Sequence, residues 1–306
     1  VDELTHIPVL PRETVELLAP KPGQVYVDAT AGLGGHAALI APHIGAGGTI
    51  VLNDLDEGNL KRARARLEAI DNGPRVLALR GNFAEVPRRL VEQGIVADMV
   101  LADLGFASPQ VDDGSRGLSF SKPGPLDMRL DPTGPLTCAQ LIASAGEGEL
   151  ERIIREFGEE RHARLIAKRI VEKRSHGAIT TTEQLATIVR GAVGPRGSGG
   201  IDPATRTFQA LRIAVNDEIG NLQVLLDAIA RQVRGLDRAR WLAPGARVAL
   251  ISFHSLEDRP VKQCFGPLVE EGKARAITKK PITASEDEER SNPRSRSAKL
   301  RVIEVA

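Results

Sequence analysis

The sequence predicts an α/β fold: one parallel, Rossmann-like sheet interrupted after its fourth strand by an all-helical insertion. Three observations predict it. Short Val-, Ile- and Leu-rich runs alternate with helical patterns through the first hundred residues, the pattern of a parallel sheet covered by helices on both faces. From about residue 137 to about 216 only helical periodicity is present. Strand-like runs then return at 247–253, 274–277 and 300–305.

Residues 25–29, 50–53, 76–79 and 98–102 read as the first four strands, each short, apolar and followed by Gly, Asn or Asp. The intervening 36–43, 57–70 and 83–93 read as helices. Residues 105–134, rich in Gly, Pro, Ser and Asp, read as a long loop; such loops in compact domains usually serve function. Beyond it, 147–157, 160–173, 182–193 and a segment starting near Pro203 repeat apolar residues at spacings of three and four. Thr182, followed by Glu183 and Gln184, fits an N-terminal cap, and Pro203 suits a first helical turn. Residues 194–200 form a glycine-dense break, and Ala243-Pro244-Gly245 reads as a turn before the fifth strand. The expected division is a sheet domain over 1–112 and 217–306 and an inserted helical, substrate-recognising domain over 113–216.

With 306 residues, 42% of them hydrophobic, the chain can bury a sizeable core, which excludes wholesale disorder. The formal net charge is only +1, so a polyanionic partner can be read only from where the charges fall. No apolar run approaches membrane-spanning length, and the opening residues carry no signal-peptide pattern. Cys138 and Cys264 lie far apart without CxxC or CxxH spacing, which fits a reducing cytosol and argues against a disulfide scaffold or a zinc site. The histidines show no ligand spacing either. The expectation is a cytoplasmic protein with no metal and no membrane contact.

The first motif with chemistry in it is Val25-Tyr26-Val27-Asp28-Ala29-Thr30-Ala31-Gly32-Leu33-Gly34-Gly35-His36, a strand, a glycine loop and the start of a helix. Glycines let the backbone approach a ligand, and a helix N-terminus faces the same crevice. Gly32-x-Gly34-x-x-Ala37 also satisfies the dinucleotide fingerprint, and a tight turn with no ligand would look the same. Asp28, at the strand's carboxyl end, separates these readings. A nicotinamide cofactor would bring a dianionic pyrophosphate against that carboxylate, whereas S-adenosyl-L-methionine carries an ammonium and a sulfonium that a carboxylate favours. Asp54 or Asp56, near the end of the next strand, is placed to hold ribose hydroxyls.

Ligands of open α/β sheets bind outside the carboxyl ends of the strands. The fourth strand runs into Ala102-Asp103-Leu104-Gly105-Phe106-Ala107-Ser108-Pro109-Gln110, which puts Asp103 beside the donor and at the mouth of the long loop. Amine-methylating enzymes often carry here an Asp, Asn or Ser, two prolines and an aromatic; Asp103 and Phe106 keep the spacing without the prolines. Methylation at pyrimidine carbon 5 needs a thiolate, and neither cysteine lies near these motifs. An exocyclic amine needs only an acceptor for its N–H groups, exclusion of water and in-line placement. Asp103 can be that acceptor, or it can serve the cofactor alone.

Seven separated segments, in order, resemble one family. They are His6-Ile7-Pro8-Val9-Leu10, Gly32-Leu33-Gly34-Gly35-His36, Asp103-Leu104-Gly105 with Ser108-Pro109-Gln110, and Gly124-Pro125-Leu126-Asp127-Met128-Arg129. Pro203-Ala204-Thr205-Arg206-Thr207-Phe208-Gln209, Ser252-Phe253-His254-Ser255-Leu256-Glu257-Asp258-Arg259 and Asn292-Pro293-Arg294-Ser295-Arg296-Ser297 complete the set. Over nearly its whole length the chain resembles the bacterial small-subunit (16S) ribosomal RNA cytosine-N4 methyltransferases, the MraW (RsmH) family. The resemblance implies a class I methyltransferase sheet with a helical insertion, S-adenosyl-L-methionine as donor, and the exocyclic N4 amine of a ribosomal RNA cytidine as acceptor. By position it implies donor contacts at Gly34, Gly35, His36, Asp54, Phe83, Asp103 and Gln110, beside Asp28 and Gly32 of the loop; Phe83 can pack on an adenine. The chain departs from the family at Asn53-Asp54-Leu55-Asp56-Glu57, usually an apolar residue, Asp, a basic residue, Asp and Pro, and at Phe106, usually small and aliphatic. Alignment favours Asp54 for the ribose.

A base-modifying enzyme must extrude its base or act on a single strand, and holds folded RNA through phosphates and shape. Arg161, Arg164, Lys168, Arg169, Lys173 and Arg174 share one helical stretch that reads foremost as a solvated face. Arg290, Arg294, Arg296, Lys299 and Arg301 cluster near the C-terminus with interleaved serines, and this cluster, with Arg294 and Arg296 named as substrate-RNA contacts, is the better phosphate candidate. Arg129 and Arg206 lie in family-like segments and are expected near the substrate RNA, or else as ion-paired buried residues. His254, at the end of the fifth strand, reads first as a structural histidine and second as a group that orients the base. Only seven Phe, one Tyr and one Trp are present, too few for an extended stacking platform, so the expected partner is structured small-subunit RNA or the assembled small subunit. Oligomeric state is not readable; a homodimer is one option. The rival readings are a methyltransferase of small-molecule or protein amines, a nicotinamide-dependent dehydrogenase and an inactive RNA-binding protein.

Overall fold

The structure, a computed structural model, describes residues 7–105, 113–194 and 202–306. The chain forms two compact units, one of Val1–Gly105 with Ile219–Ala306, the other of Phe106–Glu218. No helix among the described residues is long and apolar enough to cross a membrane.

In chain order the first unit opens with α1 (Pro11–Leu18), β1 (Val25–Asp28), α2 (Gly35–Ile44), β2 (Thr49–Asp54), α3 (Glu57–Glu68), β3 (Arg75–Arg80), α4 (Val86–Glu92) and β4 (Ala97–Asp103). The second unit contains α5 (Cys138–Ser144), α6 (Glu147–Gly158), α7 (Ala163–Arg174), α8 (Thr182–Val193) and α9 (Ala204–Asn216). The chain then continues through α10 (Glu218–Val233), β5 (Leu242–Ser252), α11 (Ser255–Glu270), β6 (Ala274–Ala276), α12 (Glu286–Ser291) and β7 (Lys299–Val305).

Seven strands form one sheet in the order β3-β2-β1-β4-β5-β7-β6. Neighbours from β3 to β5 are parallel, and β7 runs antiparallel to both β5 and β6. The central strands are apolar on both faces, as a parallel sheet covered by helices requires. Val27, Val51, Val100, Val248 and Leu250 meet α4, α10 and α11 through Leu90, Leu225, Ile229 and Phe265. Tyr26, Ile50, Leu52, Leu101 and Ile251 meet α1, α2 and α3 through Leu18, Ile40, Ile44 and Leu67 on the other face.

Three local expectations are corrected. Residues 83–93 are not one helix: Asn82 accepts the Ala84 amide at 2.9 Å and starts a 3-10 turn, after which α4 begins with Pro87 in its first turn, the place where a missing N–H is tolerated. The cap of α8 is Thr181 rather than Thr182. Thr181 Oγ1 accepts the Gln184 amide at 3.2 Å while Gln184 Oε1 accepts the Thr181 amide at 3.0 Å, a box that demands a three-residue spacing. Ala243-Pro244-Gly245 does not precede β5 but lies inside it, as a bulge between the Leu242–Ala97 and Arg247–Met99 pairs.

In the helical unit, α6 packs on α7 and α9. The segment carrying Leu126 to Arg129 is stitched onto this unit. Leu126 N–H donates to Thr180 O at 2.8 Å, and Asn216 accepts the Leu130 amide at 2.7 Å while donating to Met128 O at 2.8 Å.

Candidate active site

β1 ends on Asp28, which is 1% exposed. Its Oδ2 accepts the Tyr26 hydroxyl at 3.2 Å and its Oδ1 accepts the Thr30 amide at 3.3 Å. Burial dominates and pushes the carboxyl from 3.8 to about 6; the charge of Asp103 adds to the rise, while His36 and the two hydrogen bonds oppose it. Thr30 then fastens the tips of β1 and β4 together, its Oγ1 accepting the Asp103 amide at 2.7 Å.

The glycine loop is anchored to β2. Asp54 Oδ2 accepts the Gly32 amide and Oδ1 accepts the Asp56 amide, both at 2.8 Å. Asp56 instead caps α3, its Oδ1 accepting the amides of Gly58 at 2.9 Å and Asn59 at 3.2 Å. Of the two acids, Asp54 is the one on the edge of the loop. Gly34 has φ +75°, and a Cβ there would stand 3.1 Å from Ala63 Cα and Cβ, so its hydrogen lets α2 start against α3. A Cβ on Gly35 would press at 3.3 Å on the Pro8 ring.

Sequence reasoning missed Asn53. Buried at the end of β2, it donates through Nδ2 to Ala29 O and to Gly81 O, both at 2.9 Å. One side chain thus ties the loops after β1 and β3 to β2. The signal was legible, because a single amide interrupts the apolar run Ile50-Val51-Leu52.

His36, in the first turn of α2, faces the tip of β4. Its Nε2 stands 3.6 Å from Asp103 Oδ2, beyond hydrogen-bond length. Both ring nitrogens of His36 and Oδ1 of Asp103 are buried with no hydrogen-bond partner among the described residues. Buried polar atoms are normally satisfied, so these three atoms point to a ligand that completes them.

The donor implied by the resemblance fits this set. Asp28 and Asp103 are carboxylates suited to an ammonium and a sulfonium, and unsuited to a pyrophosphate. A carboxylate offers about four lone-pair positions, so Asp54 can hold the loop and still accept ribose hydroxyls. Phe83, half-buried after β3, packs on the core on one side.

The remaining expected residues are more scattered. Gln110, like Phe106, lies outside the described residues. His254 precedes α11, its Nε2 3.3 Å from Oε1 of buried Glu257, whose Oε2 accepts the Phe253 amide at 2.7 Å. Arg129 is chelated locally, giving Nε and Nη2 to Asp127 at 2.7 Å each and Nη1 to Gly134 O at 2.8 Å. Arg206, on α9, stands 4.0 Å from Glu160. In the C-terminal cluster Arg290 pairs with Glu286 and Asp287, while Lys299 and Arg301 share Asp258. Arg294 is half-buried and Arg296 exposed in the turn before β7.

An open sheet with one antiparallel strand slotted between two of its parallel ones, and carboxylates at the tips of β1, β2 and β4 around a glycine loop, defines a Rossmann-like methyltransferase. The family model described as the MraW methylase family matches residues 3–306, and the chain belongs to that family. It is 43% identical over 308 residues to the "Ribosomal RNA small subunit methyltransferase H" of Koribacter versatilis (strain Ellin345), covering 98% of this chain and 94% of that one. Proteins of the same description match at 46% over 297 residues in Sorangium cellulosum (strain So ce56), covering 97% and 89%, and at 46% over 317 residues in Symbiobacterium thermophilum, covering 97% and 96%.

Proposed function

We propose that this protein transfers the methyl group of S-adenosylmethionine to the exocyclic N4 amine of a cytidine in small-subunit ribosomal RNA. Family membership supports the methyl transfer, and near end-to-end similarity to relatives described as ribosomal RNA small subunit methyltransferases supports the substrate. The observation that carries the amine is Asp103: a carboxylate at the tip of β4 with a buried oxygen that has no hydrogen-bond partner among the described residues. It is the acceptor that an amino group needs in order to be oriented.

When bound, the donor supplies an electrophilic methyl on a positively charged sulfur. Asp28 and Asp103 would set negative charge around that cation, and Asp54 would hold the ribose. Asp103 accepts an N–H of the amine and thereby turns the nitrogen toward the methyl, which gains rate by orientation. As the new C–N bond forms and the methyl's bond to sulfur breaks, leaving a neutral thioether, the amine would lose one proton to Asp103, with His36 Nε2 at 3.6 Å as the next acceptor. Carbon-5 chemistry has no nucleophile. Burial raises the Cys138 thiol far above its usual range, with Asp127 adding to the rise, and raises Cys264 to about 11. We assign RNA recognition to the helical unit with Arg206 and to Arg294 and Arg296 near the C-terminus; His254 and Arg129 act through the order they impose locally.

The test is methylation of small ribosomal subunits from cells lacking the enzyme, followed by mass spectrometry of the nucleosides. One N4-methylated cytidine is expected, with near-complete loss for Asp103→Ala. Methyl incorporation at carbon 5, into protein, or undiminished in Asp103→Ala would overturn the reading.

A further inference from the structure

Many exposed cations on the helices of this protein are neutralised by a carboxylate one turn away. Arg12 pairs with Glu16, Lys61 with Glu57, Arg64 with Glu68, Arg88 with Glu92 and Arg152 with Glu156. Arg62 and Arg66 on α3 and Lys262 on α11 depart from this pattern among the described residues, as does the start of α7, where the cations also line a cleft. Arg161 and Arg164 are exposed and have no carboxylate within ion-pair distance among the described residues. Lys168 reaches Glu172 only at 3.9 Å, and Glu172 is held more closely by Arg169 at 3.0 Å. Arg164 and Lys168 are like charges at i and i+4, an arrangement that destabilises an isolated helix.

These cations are not scattered over a convex face. Arg161, His162, Arg164 and Lys168 line an open cleft of about 580 Å³ with Leu165 and, from the first turn of α6, Glu147. Leu165 is 41% exposed there, an apolar surface among the charges. Two arginines without a carboxylate partner among the described residues and a lysine that shares its carboxylate with Arg169 line one concave surface, a concentration of positive charge suited to phosphates, whose neutralisation releases counterions and drives binding. Glu147 adds an acceptor for a sugar hydroxyl, a group that distinguishes RNA from DNA.

We propose that this cleft of the helical unit binds the sugar-phosphate backbone of the substrate RNA. The proposal deepens the functional reading above and rests on it. Arg161, Arg164 and Lys168 contact phosphates and position the RNA without reading its sequence.

The test compares the wild-type protein, the triple variant Arg161→Gln/Arg164→Gln/Lys168→Gln, and a control, Arg64→Gln/Arg88→Gln/Arg152→Gln, which loses the same charge from paired positions. Affinity for protein-free small-subunit RNA and for purified small subunits is measured across salt concentrations, with donor affinity by calorimetry and the kcat and KM of methylation alongside. The triple variant is expected to bind RNA at least roughly tenfold more weakly and to show a log–log salt dependence shallower by about 2. Its KM for RNA rises while kcat and donor affinity stay at the wild-type level, and the control keeps the wild-type salt dependence. An unchanged salt dependence in the triple variant, or an equal loss in the control, overturns the proposal. A defect seen on subunits but not on protein-free RNA would assign the cleft to a ribosomal protein and also overturn it. A wild-type protein that neither binds nor methylates either substrate would instead remove the functional reading itself.

Discussion

Replacing Asp28 by Asn should make the protein more stable and a weaker binder of its donor at the same time. Burial raises this carboxyl from 3.8 to about 6. At about 1.4 kcal/mol for each tenfold in proton affinity, keeping it ionised costs about 3 kcal/mol of folding stability. The sign follows from proton binding. Between pH 3.8 and about 6 the folded protein holds a proton that the unfolded chain has released, so stability falls as pH rises through that window. The cost is absent below it and complete above it. Asparagine removes the ionisation and keeps the shape. Its Oδ1 can accept the Thr30 amide and its Nδ2 can donate to the Tyr26 oxygen, replacing the two present hydrogen bonds. The rise to about 6 already includes the opposing effect of the Tyr26 hydrogen bond, so the net gain is the whole of about 3 kcal/mol at pH 8. That corresponds to a melting temperature higher by about 5 °C, against almost no change at pH 4. Calorimetry should show S-adenosylmethionine binding weakened by roughly tenfold to a hundredfold, the worth of one hydrogen bond to a charged group. A variant that melts like the wild type at pH 8 and binds the donor equally well would refute the placement of a buried, cation-seeking carboxylate at the tip of β1.

Other substitutions test the scaffold around it. Gly34→Ala places a Cβ at φ +75° and 3.1 Å from the Ala63 backbone; a loss of about 2–3 kcal/mol is expected in denaturant titration, and adding Ala63→Gly should recover only part of it. Asn53→Leu keeps the volume but abandons Ala29 O and Gly81 O. It should cost about 2–4 kcal/mol and raise the KM for the donor more than it lowers kcat, because the loops it ties are the ones proposed above to hold the donor. Cys264, raised to about 11 by burial with Asp227 adding to the rise and Arg234 opposing it, should react with a thiol reagent at pH 8 on the order of a hundredfold more slowly than a free thiol. Cys138 should react only after denaturation, and labelling of Cys138 in the native protein would contradict its burial.

The parallel core was legible because strand and helix alternate with the periods that physics assigns them. From that alternation alone Asp28, Asp54 and Asp103 fall at strand tips, and the structure places all three there. What failed to show had specific causes. α11 contains Pro260 and Pro267, residues that usually mark helix ends. α1 follows Leu10 at φ +51°, an unusual start for a leucine. α10, by contrast, was written plainly in Leu222, Leu225, Leu226, Ile229 and Val233 and was overlooked. Clusters of like charge misled most. Lys299 and Arg301 read as phosphate ligands in the sequence, but the fold brings Asp258 to both, whereas Arg290's partners Glu286 and Asp287 lie one turn away and are legible in the sequence. Arg161 and Arg164, which read as solvated surface, lack such partners among the described residues. Sequence spacing gives the i and i+4 neighbour but not the one brought in by the fold.

The most direct measurement is a crystal structure with S-adenosylhomocysteine and cytidine bound. The amino-acid end of the product should lie against Asp28 and its ribose hydroxyls on Asp54, with the sulfur and the cytidine N4 meeting beside Asp103. A sulfur aimed away from the tip of β4, or an N4 bonded elsewhere with Asp103 untouched, would contradict the assignment of this cleft to amine methylation.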